Sequence, residues 1–236
     1  MEKKYSIEEF IGIIKRLRAE DGCPWDKVQT HDTLRSCMME EAAELLASIR
    51  IYNQTGNAEN MEEELGDILL QVVMHSVIAD EEGLFTFEDV VDGETKKMVY
   101  RHPHVFGSDT VNSSSEQLEK WEELKKKEKE GKAWITTPLR DIPPELPALT
   151  RAAKTIRKRE QIYHVDNVIE ENIEIIQNNL NILQQLQDSN DISMYENTLG
   201  KMLLAISSIA AKKRISPEQL LGDEIDKIVE KYETKA

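Results

Sequence analysis

The sequence predicts an all-α protein from its composition and its apolar pattern. Helix-forming residues dominate the 236 positions, which include only four Phe, six Tyr and ten Gly. Apolar side chains recur at the spacings of three and four residues that mark one face of a helix, and few alternate as in a β-strand. One such stripe consists of Leu34, Met38, Glu41, Leu45 and Ile49.

Helix-start signals place the elements along the chain. Ser6 with Glu9 and Ser216 with Gln219 match capping boxes, and Pro217 takes the favoured first position of a helix. Together with the apolar stripes, these signals predict nine helices. We expect them at roughly residues 6–20, 31–52, 59–80, 86–101, 115–130, 146–162, 167–188, 193–213 and 216–233.

Two pairs of acidic residues have helical spacing: Glu41/Glu44 on the second predicted helix and Glu64/Asp67 on the third. Residues three apart project from the same face of a helix, so each pair offers two carboxylates to one point. Asp67 interrupts an apolar run, and a buried ionised carboxylate is costly unless it is paired or bound to metal. Two packed helices of this kind would direct four oxygen ligands at a hard cation, Mg²⁺ or Mn²⁺ rather than zinc. The alternative is a solvated acidic face, since 32% of the chain is charged.

The formal net charge of −15 argues against binding to polymeric nucleic acid, which needs clustered Lys and Arg. A phosphate-bearing ligand would require a local reversal of charge, which a divalent cation supplies. The N-terminal residues lack the apolar segment of a secretory leader, and the longest apolar stretch is too short to span a membrane. We therefore expect a cytoplasmic protein without membrane partners, in which Cys23 and Cys37 have no special role.

A proline-rich segment, residues 134–147, is the predicted linker between two domains. It would separate an N-terminal domain, residues 1–133, from a C-terminal domain, residues 148–236. The helix before the linker carries a run of lysines and little apolar surface, so we expect it to bridge or project.

The two domains contain matching segments, which indicate an internal duplication. Residues 65–70 (LGDILL) reappear 134 positions later as residues 199–204 (LGKMLL), and an offset of 137 aligns residues 39–45 with 176–182. A metal site lost from the second copy explains the substitutions there more simply than a solvated face does. The replacements are Glu41 by Asn178, Glu44 by Asn181, Glu64 by Thr198 and Asp67 by Lys201.

The acidic pattern resembles that of the all-α nucleoside triphosphate pyrophosphohydrolases, among which the two-domain bacterial MazG family is the closest match. It reads Glu-Glu-x-x-Glu at Glu40, Glu41 and Glu44, followed by Glu-x-x-Asp at Glu64 and Asp67. Further similar segments extend over nearly the whole chain. They are CPWDK at 23–27, RHPHVFG at 101–107, WEELK at 121–125 and LPAL at 146–149.

The resemblance implies Mg²⁺-dependent cleavage of NTPs and dNTPs between the α- and β-phosphates, which yields the monophosphate and pyrophosphate. It also implies a homodimer of two tandem MazG-like repeats, in which helical hairpins from two subunits form four-helix-bundle cores. Glu41, Glu44, Glu64 and Asp67 would hold Mg²⁺ or Mn²⁺, and Glu40 would position or deprotonate the attacking water. Activity must then come from the first repeat, because the second lacks the acids.

The resemblance also suggests substrate contacts. Lys97 and Arg101, four apart on one predicted helix, match a basic pair that the family uses on the triphosphate. Trp25 and Lys27 lie in a loop that we expect near the site, where they would contact the base or ribose. Each assignment has a plainer alternative, a solvated pair for the first and simple loop packing for the second.

Two other functions fit parts of the pattern. A non-enzymatic helical adaptor, in which both repeats serve only dimerisation and partner binding, predicts no stabilisation by Mg²⁺. A di-iron carboxylate bundle also uses paired helical acids, but it needs Glu-x-x-His pairs, which the sequence lacks. The motif His102-x-His104 has no third nitrogen or sulfur ligand at suitable spacing, which favours a structural helix terminus.

Overall fold

The protein is all-α in the part of the chain that the structure describes. The computed structural model describes residues 3–110, 113–129, 131–132, 137–187, 189 and 191–233. These residues form helices and turns without a strand, which confirms the predicted fold class. None of their helices is both long enough and apolar enough to cross a membrane. The chain divides into two compact units, Met1–Lys127 and Glu128–Ala236.

The nine predicted helices are all present within the described residues, with ends that differ by at most four positions. The short α5 and a 3₁₀ turn at Asp26–Val28 are additional to the prediction. The helices are α1 (Ile7–Arg18), α2 (Arg35–Thr55), α3 (Glu59–Glu81), α4 (Phe87–Arg101), α5 (Pro103–Phe106), α6 (Ser114–Lys129), α7 (Ala148–Tyr163), α8 (Ile169–Gln185), α9 (Ile192–Lys212) and α10 (Pro217–Glu233).

The second helix begins later than predicted because a threonine turn precedes it. The backbone nitrogen of Thr30 donates to Oγ1 of Thr33 at 2.9 Å, and the backbone nitrogen of Thr33 donates to Oγ1 of Thr30 at 3.2 Å. Such side-chain bonds compete with the hydrogen bonds of a helical backbone. The helix therefore starts only at Arg35.

In the first unit, α3 is the central helix. α2 pairs with it along its length, and α1 and α4 also pack against it. α1 starts with the predicted capping box, in which Ser6 and Glu9 each accept a hydrogen bond from the other's backbone nitrogen. The buried apolar core consists of Ile14, Leu34, Val73, Met74, Val77 and Ile78.

A glycine turn joins α2 to α3 and sets up the acidic site. Gly56 ends α2 with a φ of 75°, a left-handed conformation that glycine adopts without a Cβ clash. Only residues 56–58 separate the two helices, so the chain reverses and α3 runs back along α2. The turn thereby lets Glu41 of α2 approach Glu64 and Asp67 of α3.

The second unit uses the same pairing of helices. α8 pairs with α9, and α7 and α10 pack against α9. Small residues of α9, among them Ala205, Ser207 and Ala211, are buried and allow the neighbouring helices to approach closely. The buried hydroxyl of Ser207 is satisfied within its own helix, because Oγ donates to the carbonyl oxygen of Leu203 at 2.8 Å.

The described part of the predicted linker, residues 137–147, packs on the second unit. Ile142 is 2% exposed, and Asp141 accepts a hydrogen bond of 2.8 Å from Nζ of Lys158 on α7. Trp134, where the predicted linker starts, lies outside the described residues, as does residue 130, the predicted end of the charged helix. The division between the units falls within α6, a few residues before the domain boundary that the sequence predicts.

Candidate metal centre

Three carboxylates converge between α2 and α3. One oxygen atom from each of Glu41, Glu64 and Asp67 lies within 4.8 Å of the other two. Within the described ranges, no other set of His, Cys, Asp or Glu side chains forms such a cluster of three or more. The structure thus brings together three of the four acids that the sequence singles out.

Glu64 is the most buried member of this cluster. This residue is only 8% exposed. Its Oε1 accepts a hydrogen bond of 2.8 Å from Nδ2 of Asn60, one turn earlier on α3. Its Oε2 is buried and has no hydrogen-bond partner in the described structure. A buried carboxylate oxygen without a partner is costly, so this atom is suited to a ligand.

Asp67 is less buried than its apolar neighbours in the sequence suggest. Leu65 and Leu69, which flank it, are 51% and 40% exposed, and Asp67 itself is half-buried. The expectation of a deeply buried acid therefore applies to Glu64 instead. The reason is the helical angle, since the face of α3 that carries Glu64 turns towards α2, whereas Leu65 and Leu69 face outward.

The charges of the cluster act on Glu41. Burial raises the pKa of this carboxyl first, and the negative charges of Asp67, Glu44, Glu64 and Glu40 raise it further, in that order. A raised pKa means that the cluster disfavours another negative charge in the absence of a counter-ion. Three carboxylates held this way are the donor set that hard divalent cations prefer.

Glu44 and Glu40, the other predicted acids of α2, remain outside the cluster. Both are exposed, and Glu44 is not among the residues whose oxygens meet within 4.8 Å. Both are nevertheless close enough for their charges to raise the pKa of Glu41.

Comparison with known proteins shows which family this sequence resembles. A family model described as the MazG nucleotide pyrophosphohydrolase domain matches residues 29–106, which contain all five acids and α2 to α4. The Thermotoga maritima protein named nucleoside triphosphate pyrophosphohydrolase/pyrophosphatase MazG is 34% identical over 226 residues, which cover 96% of this chain and 84% of that protein. The chain belongs to the MazG family.

Other relatives match this MazG-family chain over a smaller share of their length. The Escherichia coli K12 nucleoside triphosphate pyrophosphohydrolase is 43% identical over 154 residues, 65% of this chain and 56% of that protein. The uncharacterized protein YabN of Bacillus subtilis is 45% identical over 150 residues, 64% of this chain but 29% of YabN. The chain therefore corresponds to only part of these two relatives.

The basic pair predicted to bind the triphosphate has other partners in this MazG-family chain. Nζ of Lys97 is ion-paired with Glu94 on the same helix, α4. The guanidinium of Arg101 lies over the ring of Trp121, 5.5 Å from its centroid, and Nζ of Lys125 lies 4.5 Å from the same ring. None of these contacts joins Lys97 or Arg101 to the acids, so their role on a triphosphate stays a prediction.

The loop with Trp25 and Lys27 lies at the far end of α3. Trp25 is 58% exposed, and Nζ of Lys27 donates locally to the carbonyl oxygen of Glu20. Arg18 anchors the loop, because its guanidinium donates to the carbonyl oxygen of Asp26 at 2.7 Å and to Glu81 at 2.7 Å. Glu81 follows Asp67 by 14 residues, about 21 Å along a helix. The loop is therefore not beside the acids of its own chain, and its contact with a base or ribose remains a prediction.

The motif His102-x-His104 has a structural place in the fold. His102 lies between α4 and α5, and its Nδ1 donates to the carbonyl oxygen of Met98 at 2.7 Å. Pro103 then starts α5 at the position where proline is favoured. Neither histidine belongs to a cluster of metal-binding groups in the described residues.

Helix α9 of the second unit corresponds to α3 but lacks the acids of the cluster. Each of the six buried residues of α9 lies 134 positions after a buried residue of α3, the offset found in the sequence. The pairs are Glu64/Thr198, Gln71/Ala205, Val73/Ser207, Met74/Ser208, Ser76/Ala210 and Val77/Ala211. This common register supports the predicted duplication. At the position equivalent to Glu64, the hydroxyl of Thr198 donates a hydrogen bond of 2.7 Å to the carbonyl oxygen of Met194 and so needs no ligand.

Two polar residues beside the acids were not predicted from the sequence as part of the site. Asn60 donates to Glu64, and Gln71 is buried one turn after Asp67. The signal for both is spacing, since residues 60, 64, 67 and 71 follow one another at the intervals of one face of a helix. Asn and Gln are common on solvated helix faces, so spacing alone does not distinguish these two amides. The burial of Gln71 and of Glu64, the partner of Asn60, shows that the two differ from surface amides.

Proposed function

We propose that this protein is a nucleoside triphosphate pyrophosphohydrolase, which cleaves NTPs and dNTPs between the α- and β-phosphates to give the monophosphate and pyrophosphate. The observation that carries the proposal is the convergence of Glu41, Glu64 and Asp67, with the unpartnered Oε2 of Glu64 among them. The names of the T. maritima and E. coli relatives support the same activity.

The donor set fits a divalent cation. Glu41, Glu64 and Asp67 would hold Mg²⁺ or Mn²⁺, and we assign a fourth ligand to Glu44, whose charge raises the pKa of Glu41. The raised pKa of Glu41 and the orphaned oxygen of Glu64 are both features that a cation would relieve. When bound, the cation supplies charge neutralisation for the phosphates and polarises the attacking water.

The remaining predicted residues have roles that follow from their chemistry. Glu40 is exposed next to Glu41, so its carboxylate can accept the proton of the water that attacks the α-phosphorus. Lys97 and Arg101 would bind the β- and γ-phosphates and hold the pyrophosphate as it leaves. Both must then exchange their present partners, Glu94 and the Trp121 ring, for phosphate oxygens.

We also propose that the chain acts as a homodimer built on its helical hairpins. Exposed apolar side chains on α2 and α3 support this, since a second copy would remove them from water. They are Met39, Leu46, Ile49, Leu65 and Leu69. Light scattering coupled to size-exclusion chromatography would show a particle of twice 27.1 kDa, and a monomer would contradict this part of the proposal.

The decisive experiment is incubation of the purified chain with a panel of NTPs and dNTPs, with and without Mg²⁺, and identification of products by chromatography. We expect monophosphate and pyrophosphate only when Mg²⁺ is present. Diphosphate and inorganic phosphate would contradict cleavage between the α- and β-phosphates. A lack of turnover over the panel, together with no effect of Mg²⁺ on thermal stability, would favour the helical adaptor.

A further inference from the structure

Gln71 is a buried polar residue whose amide oxygen has no hydrogen-bond partner among the described residues. The residue is 6% exposed, and this oxygen, Oε1, is itself buried. A buried carbonyl oxygen left unpaired is costly, so native proteins seldom retain one without a ligand or water for it. The neighbouring residues Leu70, Val73 and Met74 belong to the apolar core and offer it no donor side chain.

The second unit shows that the position does not require a polar residue. Ala205 lies 134 positions after Gln71, in the common register of α3 and α9, and it is 2% exposed. The helix pairing is therefore compatible with a small apolar side chain at this buried position. The glutamine occurs in the unit that has the acids, and alanine occurs in the unit that has lost them.

Helix geometry directs Gln71 towards the acids. Gln71 follows Asp67 by four residues and Glu64 by seven, so the three side chains lie along one face of α3. Side chains on a helix lean towards its N-terminus, over the preceding turn. The turn that precedes Gln71 is the one that carries Asp67.

We propose that Gln71 is a positioning residue of the cation site, and that its Oε1 accepts a hydrogen bond from a water in the hydration shell of the bound Mg²⁺ or Mn²⁺. The proposal rests on the proposed function. Mg²⁺ keeps several of its waters when proteins bind it, and these waters need acceptors. With Asn60 fixing Glu64 from one side, Gln71 completes the polar surroundings of the carboxylates from the other.

A water is a better occupant than the sugar of the substrate. A ribose hydroxyl could also donate to an amide oxygen, but Gln71 is already 94% buried between the helices of its unit. A water needs far less room beside such an atom than a nucleoside does. The structure therefore favours a role in cation binding over a role in distinguishing ribose from deoxyribose.

The test is the affinity of the full-length chain for Mn²⁺, measured without nucleotide by electron paramagnetic resonance. We expect Gln71→Ala to weaken Mn²⁺ binding about tenfold, the effect of removing a hydrogen-bond partner from a metal site. Ser76→Ala is the matched control, because it also replaces a buried polar residue of α3 by the alanine found at the equivalent position of α9, Ala210. Ser76 Oγ is already bonded to the carbonyl oxygen of Val72 at 2.8 Å, so this variant should bind Mn²⁺ like the wild type.

Two further variants separate the loss of the amide oxygen from a loss of packing or folding. Gln71→Leu is similar in size without the oxygen and should bind as weakly as Gln71→Ala, while Gln71→Glu retains an acceptor and should restore the affinity. Wild-type Mn²⁺ affinity in Gln71→Leu and Gln71→Ala would overturn the proposal. So would unchanged Mn²⁺ affinity together with an altered ratio of NTP to dNTP turnover, which would assign the amide to the sugar. If the wild type itself binds no Mn²⁺, the proposed function fails with it, and this outcome is distinct from a failure confined to Gln71.

Discussion

The imidazole rings of His31 and His75 lie parallel, with their Nδ1 atoms 2.8 Å apart. The ring planes differ by 8° and the centroids are 5.1 Å apart, and Oε2 of Glu82 lies 3.8 Å from Nε2 of His31 on the outer side of the pair. A hydrogen bond between two Nδ1 atoms requires one ring to donate and the other to accept. The contact joins the segment before α2 to the second half of α3, and it fails if both rings are protonated at Nδ1.

This contact predicts a loss of stability at mildly acidic pH. Burial, and then the nearby His31, hold the pKa of His75 below its ordinary value of 6.5. As the pH falls below about 6.5, the unfolded chain takes up a proton that folded His75 resists, so the free energy of unfolding decreases. Urea denaturation of the metal-free protein between pH 7.5 and 5.5 should show this decrease. His75→Gln should lose that part of the pH dependence, and an identical profile in both proteins would contradict the prediction.

The acidic cluster predicts the opposite behaviour for Glu41 in the metal-free protein. Because the pKa of Glu41 is raised above its ordinary value of 4.5, the folded state favours the protonated form, and the associated stability is lost as the pH rises through the folded-state pKa. Glu41→Gln should therefore melt about 2 °C higher than the wild type at pH 7 without metal. Mg²⁺ should stabilise the wild type and leave this variant unchanged in differential scanning fluorimetry. Glu63→Gln, an exposed acid of α3 outside the cluster, is the control and should behave as the wild type.

Turnover should depend on Asp67 and be indifferent to the equivalent residue of the second unit. Asp67→Asn removes a charged donor of the cluster, and we expect a loss of more than about a hundredfold, since even an outer partner of a metal site costs 10–100-fold. Lys201 lies 134 positions later and is exposed, so Lys201→Ala should retain turnover within about twofold. Release of pyrophosphate from an NTP provides the measurement, with circular dichroism to confirm unchanged helical content. Wild-type activity in Asp67→Asn would exclude this acid from the site.

Arg18 should contribute strongly to stability. Its side chain is 5% exposed and joins Glu81 to the carbonyl oxygens of Asp26 and Gln29. Arg18→Met would leave these acceptors without their donor, and we expect a loss of about 2–3 kcal/mol in the free energy of unfolding. The control is Arg16→Met, which breaks an exposed pair with Asp21 that should contribute less than about 1 kcal/mol. Equal losses in the two variants would show that burial of Arg18 has no effect on the strength of its interactions.

The positions of the helices along the chain were predictable because the interactions that start and end a helix are local. Capping residues, proline positions and apolar spacing act within a few residues of one another, and the helix ends at Ser6 and Pro217 agree with them. The late start of α2 was not predicted, because the reciprocal bonds of Thr30 and Thr33 depend on the conformation of a turn. The 3₁₀ turn in the loop of Trp25 was not predicted either, because it depends on a side-chain contact: Arg18, the last residue of α1, donates to the carbonyl oxygen of Asp26.

The sequence by itself determined the all-α class, the positions of the helices and the two acid pairs, since the periodicity of a helix decides which residues share a face. Only the tertiary structure decided that Glu41, Glu64 and Asp67 meet while Glu44 stays exposed, and that Glu64 rather than Asp67 is the buried acid. It likewise identified Asn60 and Gln71 as the polar neighbours of the cluster. Burial and convergence depend on how α2 and α3 rotate against each other, and that rotation is set by packing between residues far apart in the sequence.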